Sequence, residues 1–257
     1  MATEQDRTGS GVAPRTISSA SIFSTMLIDR MIAGAVTTTA TRVIDVGCGQ
    51  APYRRLLQPE WYVGVDRTPR VGRTDVVADV GALPVADAAF DGVVCTEVIE
   101  HVPDERALAR ELARVARPGA ALLLSSPFVH GLHEQPYDFR RLTSIGLVTV
   151  LEEAGWEVRS VSAIGGPLVV AVDSAVRATD SWLRRIARRI PGASGPALRL
   201  QTAVSAAVQR LLGTVALRSP IGHLRRIDPA APSPRLTLGY VVDARRRVEE
   251  PGAASSR

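Results

Sequence analysis

Short apolar runs bounded by glycine, proline or a single acid alternate along this chain with segments whose apolar residues recur at helical spacing. Val43, Ile44 and Val46 read as the end of a buried strand, interrupted by Asp45 and followed by Gly47-Cys48-Gly49. Pro52 to Leu57 reads as a short helix, because proline suits a first helical turn. Trp61 to Val65, Asp75 to Val80, Gly92 to Cys95, Ala121 to Ser125 and Trp156 to Val161 follow as strands. Two helices lie between the last three strands. One is opened by Pro103, carries Leu108, Leu112 and Val115 on one face, and stops at Arg117-Pro118-Gly119; the other covers Leu142 to Ala154. Strands alternating with helices predict an α/β fold around a parallel sheet.

Outside this core the pattern changes. Ser18 to Val36 carries Ile22, Phe23, Met26, Leu27 and Met31 at helical spacing and reads as a core-covering helix. Leu168 to Ile190 and Pro196 to Leu217 read as amphipathic helices, neither with an apolar run long enough to span a bilayer. Arg235 to Ala244 reads as a returning strand, the seventh, so the helices form an insertion within the sheet. The expected division is a disordered tail over 1–16, a core over 17–165, a helical insertion over 166–226, a returning strand over 227–245 and a disordered tail over 246–257.

Composition narrows the chemistry. The 31 cationic residues are all arginine, which excludes lysine nucleophiles and a Walker-type phosphate loop. The net charge of +5 and the pI of about 10.0 raise nucleic acid or an anionic surface as partners, yet much of the excess lies after Arg177. Arginine pairs at 184–185 and 188–189 form one basic stripe on a helix, to be covered by a twin subunit, by the sheet or by lipid headgroups. Cys48 and Cys95 make neither a disulfide framework nor a metal set, and the histidines and acids show no ligand spacing, so no metal is expected. The first residues are polar with no secretory h-region. A cytoplasmic protein is expected, peripheral at the inner membrane surface if the basic stripe meets lipid.

A strand, a glycine turn and a helix bring a backbone close to a nucleotide-like ligand. A dinucleotide site wants a third glycine at position 52, where this chain has Pro52 and no free N–H. Asp66 ends the second strand about 20 positions beyond the turn, where a carboxylate can accept both hydroxyl protons of a ribose; a turn aspartate is the plainer alternative.

The stretch VIDVGCGQAPY from Val43 to Tyr53 resembles motif I of the class I S-adenosylmethionine (SAM) methyltransferases, with Ala51 where that family usually has glycine. FDGVVCTEVIEHV, from Phe90 to Val102, resembles the family's motif IV. Gly119-Ala120 stands where the family usually shows two glycines. With order and spacing agreeing over residues 43–127, the resemblance is to the type-11-like kind. The segment from Ser126 to Val158, which contains HEQPYDFRRLT, is similar to a bacterial subgroup with HEEPYDFYRWT-like signatures, often thought to act in surface-glycan or related pathways.

The resemblance implies a Rossmann-like seven-stranded sheet with helices on both faces and a helical insertion before the last strand. It implies SAM as cofactor, held by Asp45, Gly47, Cys48, Gly49, Asp66, Asp79, Val80 and Glu97. Asp79 would receive the adenine amino group, with a solvated turn residue as the alternative, and Val80 would flank the ring. Glu134, Tyr137, Asp138 and Arg140 lie between an apolar strand and a helix at the carboxyl edge, and are expected to line the acceptor pocket. His101 and His133 are the candidate bases, since imidazole titrates near neutrality; for His101 a local hydrogen bond is an equal alternative. The expected activity is methyl transfer to a small-molecule or glycan/lipid-linked acceptor, most simply on oxygen. The alternatives are a non-catalytic SAM-binding module and a nucleic-acid methyltransferase. The latter lacks its N-P-P-Y type of motif where the chain has Thr96-Glu97-Val98-Ile99.

Overall fold

The computed structural model describes residues 40–57, 59–187, 207, 225–227 and 236–248. The expected helices over Ser18–Val36 and Pro196–Leu217 fall almost wholly outside these residues, as do both tails beyond residue 248 and before residue 40, and Arg188 and Arg189 of the basic stripe.

In chain order the elements are β1 (Arg42–Val46), α1 (Arg54–Leu57), β2 (Trp61–Asp66), β3 (Val76–Val77), β4 (Phe90–Thr96), a 3-10 turn over Ile99–His101, α2 (Glu105–Val115), β5 (Ala116–Pro127), α3 (Ser144–Glu153), β6 (Trp156–Ala163), α4 (Pro167–Ala187), β7 (Arg225–Ile227) and β8 (Gly239–Arg246). The strands form one sheet in the order β3-β2-β1-β4-β5-β8-β6-β7. From β3 to β5 every pairing is parallel; β8 lies antiparallel between β5 and β6.

The sheet is covered on both faces, which is why its strands read as near-continuous apolar runs. Alternate residues point to opposite sides. Ile44, Val93, Leu122, Leu124 and Val242 pack with Leu108 and Leu112 of α2 and with Leu147 and Leu151 of α3. Val43, Val94, Leu123 and Val241 pack on the other side with Leu57 of α1 and with Val169 and Val170 of α4. Each such side chain contributes about 1.5–3 kcal/mol when fully buried. Trp156, with no exposed surface, donates its indole N–H to the Ala109 carbonyl at 3.3 Å. Asp104 caps α2 by accepting from the N–H groups of Arg106 and Ala107, and the Thr143 hydroxyl caps α3 by accepting from Gly146.

Several expectations are corrected. The seven expected strands are present, and among the described residues a short eighth, β7, pairs with β6 inside the segment expected to be a helical insertion. The last strand starts at Gly239 rather than Arg235 and runs through Arg246, which was assigned to the tail. Arg246 is held there because its guanidinium donates to the carbonyls of Ala113 and Gly155. β3 is only two residues long: Asp79 Oδ1 accepts from Gly81 N–H, and Ala82 N–H donates to Asp79, so the chain turns instead of extending to Val80. Ala116 pairs with Phe90, so β5 begins where the helix was expected to give way to a loop.

Candidate functional site

The carboxyl ends of β1, β2, β4 and β5 meet along one edge of the sheet, where open α/β sheets place their ligands. At the end of β1 the chain reverses through Gly47 (φ 72°) and Gly49 (φ 52°), left-handed conformations that glycine adopts without steric cost. The N–H groups of Gly47 and Cys48 both donate to the Val65 carbonyl, pinning the turn to β2. At Gly47 a Cβ would lie 2.3 Å from Val98 Cγ2, so this glycine serves packing against the segment after β4. At Gly49 the nearest atom to such a Cβ is the Gly47 carbonyl oxygen at 4.0 Å, so this side of the turn is open.

Asp66 faces that opening. Its Oδ2 accepts from Gly49 N–H at 2.9 Å, and its Oδ1 accepts from Thr68 N–H at 2.8 Å with the Arg70 guanidinium 3.1 Å away. Oδ2 keeps acceptor capacity beyond the Gly49 bond, because each carboxylate oxygen has two lone pairs. The turn aspartate and the ribose acceptor are therefore compatible roles for one residue. Asp45 is buried in β1 and accepts from the Tyr62 hydroxyl; burial pushes its carboxyl up to about 7 against the lowering effect of that bond. Cys48 turns away from the opening, against Gly64 and the Arg73 carbonyl, and burial pushes its thiol up to about 12. Its part in a cofactor site is confined to the backbone. Asp79 is exposed in its turn with Val80 packed against the core.

The other half of the site grows from β4. Glu97, the first residue beyond the strand, sits in the left-handed region (φ 55°) and donates its N–H to Ser125, whose hydroxyl donates back to Glu97 Oε1 at 2.9 Å. Glu100 follows in the 3-10 turn with no exposed surface, and neither carboxylate oxygen receives a hydrogen bond from another residue. Burial raises both carboxyls above the usual carboxylate range, and the nearby Glu97 charge adds to the effect on Glu100.

The loop after β5 folds back onto this turn. Phe139 N–H donates to the Glu100 carbonyl at 2.9 Å, and His101 Nδ1 bonds the Tyr137 carbonyl at 2.7 Å. These ties bring His133 over Glu100: its Nε2 is 3.8 Å from Glu100 Oε1, and the His101 and His133 rings pack edge to face at 4.6 Å. Burial lowers the His133 pKa below its ordinary value, so its imidazole is neutral at pH 7. The two candidate bases are thus together. Glu134 extends toward them, with Oε2 4.0 Å from His101 Nε2, while the exposed Tyr137 ring carries the Arg67 guanidinium at 4.2 Å.

Two of the expected acceptor-lining residues are engaged elsewhere. Asp138 accepts both arms of Arg141, at 2.5 and 2.9 Å, and the His133 N–H, which hold its carboxyl well below the usual range. Arg140 donates to the Pro103 carbonyl and pairs with Glu105, tying the loop to the start of α2. Both brace the loop. Glu100 and Arg141, central to the cluster, were absent from the sequence-based set. The signal for Glu100 was an acid flanked by Val98, Ile99 and Val102, an apolar setting that buries it.

Residues 44–124 match the family model described as a methyltransferase domain. An uncharacterized methyltransferase of Mycobacterium sp. (strain KMS) is 36% identical over 115 residues, which cover 39% of this chain and 44% of that protein. A protein of Mycolicibacterium smegmatis described as a "Probable S-adenosylmethionine-dependent methyltransferase" is 33% identical, covering 45% of this chain and 52% of its own length. A ubiquinone biosynthesis O-methyltransferase of Xanthomonas campestris is 34% identical over 37% of this chain and 46% of its own. The chain spans about half the length of the curated relatives it matches. Among solved structures, a SAM-dependent methyltransferase from Archaeoglobus fulgidus superposes with a TM-score of 0.52 at 16% identity, covering 88% of this chain and 94% of that one. The cyclase SpnF superposes with a TM-score of 0.53 at 17% identity, over 86% and 80% of the two chains. These likenesses show the fold.

Proposed function

We propose that this chain, whose residues 44–124 match a methyltransferase-domain model, is a class I, type-11-like SAM-dependent methyltransferase, and that it methylates an oxygen of a small-molecule or glycan/lipid-linked acceptor. The observation that carries the reading is the convergence on one sheet edge of the open Gly47–Gly49 turn, Asp66 and the polar cluster of Glu97, Glu100, His101 and His133. The open face of Gly49 and the acceptor capacity of Asp66 fit SAM, with Asp45, the turn backbone, Asp79, Val80 and Glu97 around it. When bound, SAM supplies an electrophilic methyl on a sulfonium, and its sulfur leaves as a neutral thioether.

This chain's contribution is alignment and proton removal. An acceptor hydroxyl must lose its proton as the new carbon–oxygen bond forms, and the Nε2 atoms of His101 and His133 are the groups to take it. Glu134 and Tyr137, exposed at the mouth of the cluster, would contact the acceptor. A ubiquinone biosynthesis O-methyltransferase among the relatives supports oxygen as the target atom. A non-catalytic SAM-binding module would leave the buried carboxylate and its facing imidazoles without a task. The arginine pairs at 184–185 and 188–189, the second of which lies outside the described residues, read from the sequence as a stripe better covered by a subunit than by lipid, because packed helices are the commoner cover for such a face.

The test is incubation of the protein with methyl-labelled SAM and fractionated extract. Label recovered as a methyl ether in a small-molecule or lipid-linked glycan fraction supports the reading. Label recovered on nitrogen or in nucleic acid contradicts it.

A further inference from the structure

We propose that Glu100, His101 and His133 form a site for a divalent first-row transition cation, which takes the acceptor's oxygen as a further ligand. Glu100, His101 and His133 each offer one ligand atom, all within 4.8 Å of one another. They come from a turn after β4 and a loop after β5.

The direction of the lone pairs carries the argument. His101 Nδ1 lies 2.7 Å from the Tyr137 carbonyl, an obligate acceptor, so Nδ1 holds the proton and Nε2 the lone pair. His133 Nδ1 faces the Gly131 carbonyl at 3.3 Å and Asp138 Oδ2 at 3.4 Å, and these two acceptors place the proton on Nδ1 there as well. Arg141, the donor on that side at 3.5 Å, is already bound through both arms by Asp138. Both Nε2 lone pairs therefore face Glu100 Oε1, at 3.6 and 3.8 Å. Those separations exceed hydrogen-bond range, and a lone pair cannot donate to a carboxylate. Burial favours the neutral acid at Glu100, yet its oxygens receive no hydrogen bond from a neighbour and two imidazole lone pairs face them, a donor set that a positive charge at its centre would satisfy by displacing the acid's proton. A cation supplies it.

The spacing suits one. Ligand bonds of about 2.0–2.2 Å set neighbouring donor atoms roughly 3.0–3.5 Å apart, so small side-chain movements would close the present gaps. A carbonyl or carboxylate behind each Nδ1–H is the outer-shell arrangement that fixes the ring of a metal-bound histidine. Two imidazoles and one carboxylate favour zinc, cobalt or ferrous iron over magnesium or calcium, which prefer oxygen donors throughout. Three protein ligands also leave a coordination position open. The cation site stands on its own geometry. Only its use of the open position for an acceptor oxygen rests on the methyltransferase reading. There the cation would occupy the histidine Nε2 lone pairs and replace them as the means of deprotonation, lowering the hydroxyl's pKa so that its proton passes to solvent before the oxygen takes the methyl.

The test is a titration of the full, chelator-treated chain with cobalt(II) alone. One cobalt per chain is expected, with visible absorption of a low-symmetry site, the largest paramagnetic histidine shifts at His101 and His133, and a smaller through-space shift at His130, whose ring lies 4.7 Å from that of His133. Glu100→Gln and His133→Ala should each weaken binding by at least about tenfold. Failure of the wild type to bind at millimolar cobalt, or the largest shifts falling on a histidine other than His101 and His133 with both variants unaffected, overturns the site without need of any variant that folds poorly. SAM affinity, measured on the same metal-free protein, separates the two claims. Cobalt binding without SAM binding leaves the cation site and removes the methyltransferase reading; SAM binding without cobalt does the reverse. Equal turnover of stripped and zinc-loaded protein would remove the role of the cation toward the acceptor.

Discussion

Gly49 donates its N–H to Asp66 Oδ2 at 2.9 Å, so the residue proposed for the ribose also fixes the turn proposed to admit the cofactor. Asp66→Ala should therefore weaken SAM binding by about 1–3 kcal/mol, the range for leaving polar partners unmatched, and lower the melting temperature as well. Asp66→Asn keeps an acceptor for Gly49 and should recover most of the stability while remaining weak for SAM. Equilibrium dialysis with labelled SAM, alongside thermal melts, checks both. Unchanged affinity in a folded Asp66→Ala variant would remove the ribose assignment.

The two glycines of the turn should separate folding from binding. At Gly47 an added methyl meets Val98 and a left-handed backbone together, so Gly47→Ala should cost about 2 kcal/mol or more of stability. At Gly49 no clash awaits, and Gly49→Ala should cost only about 1 kcal/mol for its backbone conformation. A branched side chain there, as in Gly49→Val, would fill the opening and abolish SAM binding. Urea midpoints and SAM affinities measured on both positions decide the matter; equal stability losses would contradict the division.

The loop after β5 should act on turnover and not on cofactor affinity. Asp138→Ala releases Arg141 and the His133 N–H together, and should lower stability by about 1.5–3 kcal/mol, as for charged hydrogen bonds. Turnover should fall with it because His133 loses its position, while SAM affinity stays close to wild type. Tyr137→Phe should be milder, since its link to His101 is through the main chain. Loss of SAM binding in either variant would mean that the loop belongs to the cofactor side.

Asp45 gives a pH dependence. Its carboxyl is raised from the usual 3.8 to about 7 by burial, so the folded protein holds a proton that the unfolded chain gives up. Stability is then unaffected by Asp45 below about pH 4 and declines as pH rises toward 7, by at most about 1.4 kcal/mol per pH unit. Asp45→Asn keeps an acceptor for the Tyr62 hydroxyl and removes the titration. Its melting temperature relative to wild type should rise between pH 4 and pH 7 and then level off. A difference independent of pH would contradict the raised pKa.

The strands, the glycine turn and Asp66 were legible because they rest on local signals: apolar runs, φ above zero at glycine, and an acid closing a strand. The pairing of His133 with Glu100 was not, since it depends on a loop folding back through bonds such as Phe139 to the Glu100 carbonyl. Asp138 and Arg140 looked like substrate ligands for the same reason. Polar residues in a loop at the right edge do not reveal in sequence whether their partner is a ligand or, as here, Arg141 and Pro103. β7 was missed because three residues carry too little periodicity, and Arg246 because its strand position depends on carbonyls of Ala113 and Gly155 distant in the chain.

Calorimetric titration of the wild-type chain with SAM, and separately with NAD, tests the central claim most directly. Pro52 removes the third N–H that a dinucleotide would use, while the open face of Gly49 and the Asp66 carboxylate fit SAM. The account predicts saturable SAM binding at one site per chain and no measurable heat with NAD. Tight NAD binding, or no SAM binding by the folded protein, would contradict it.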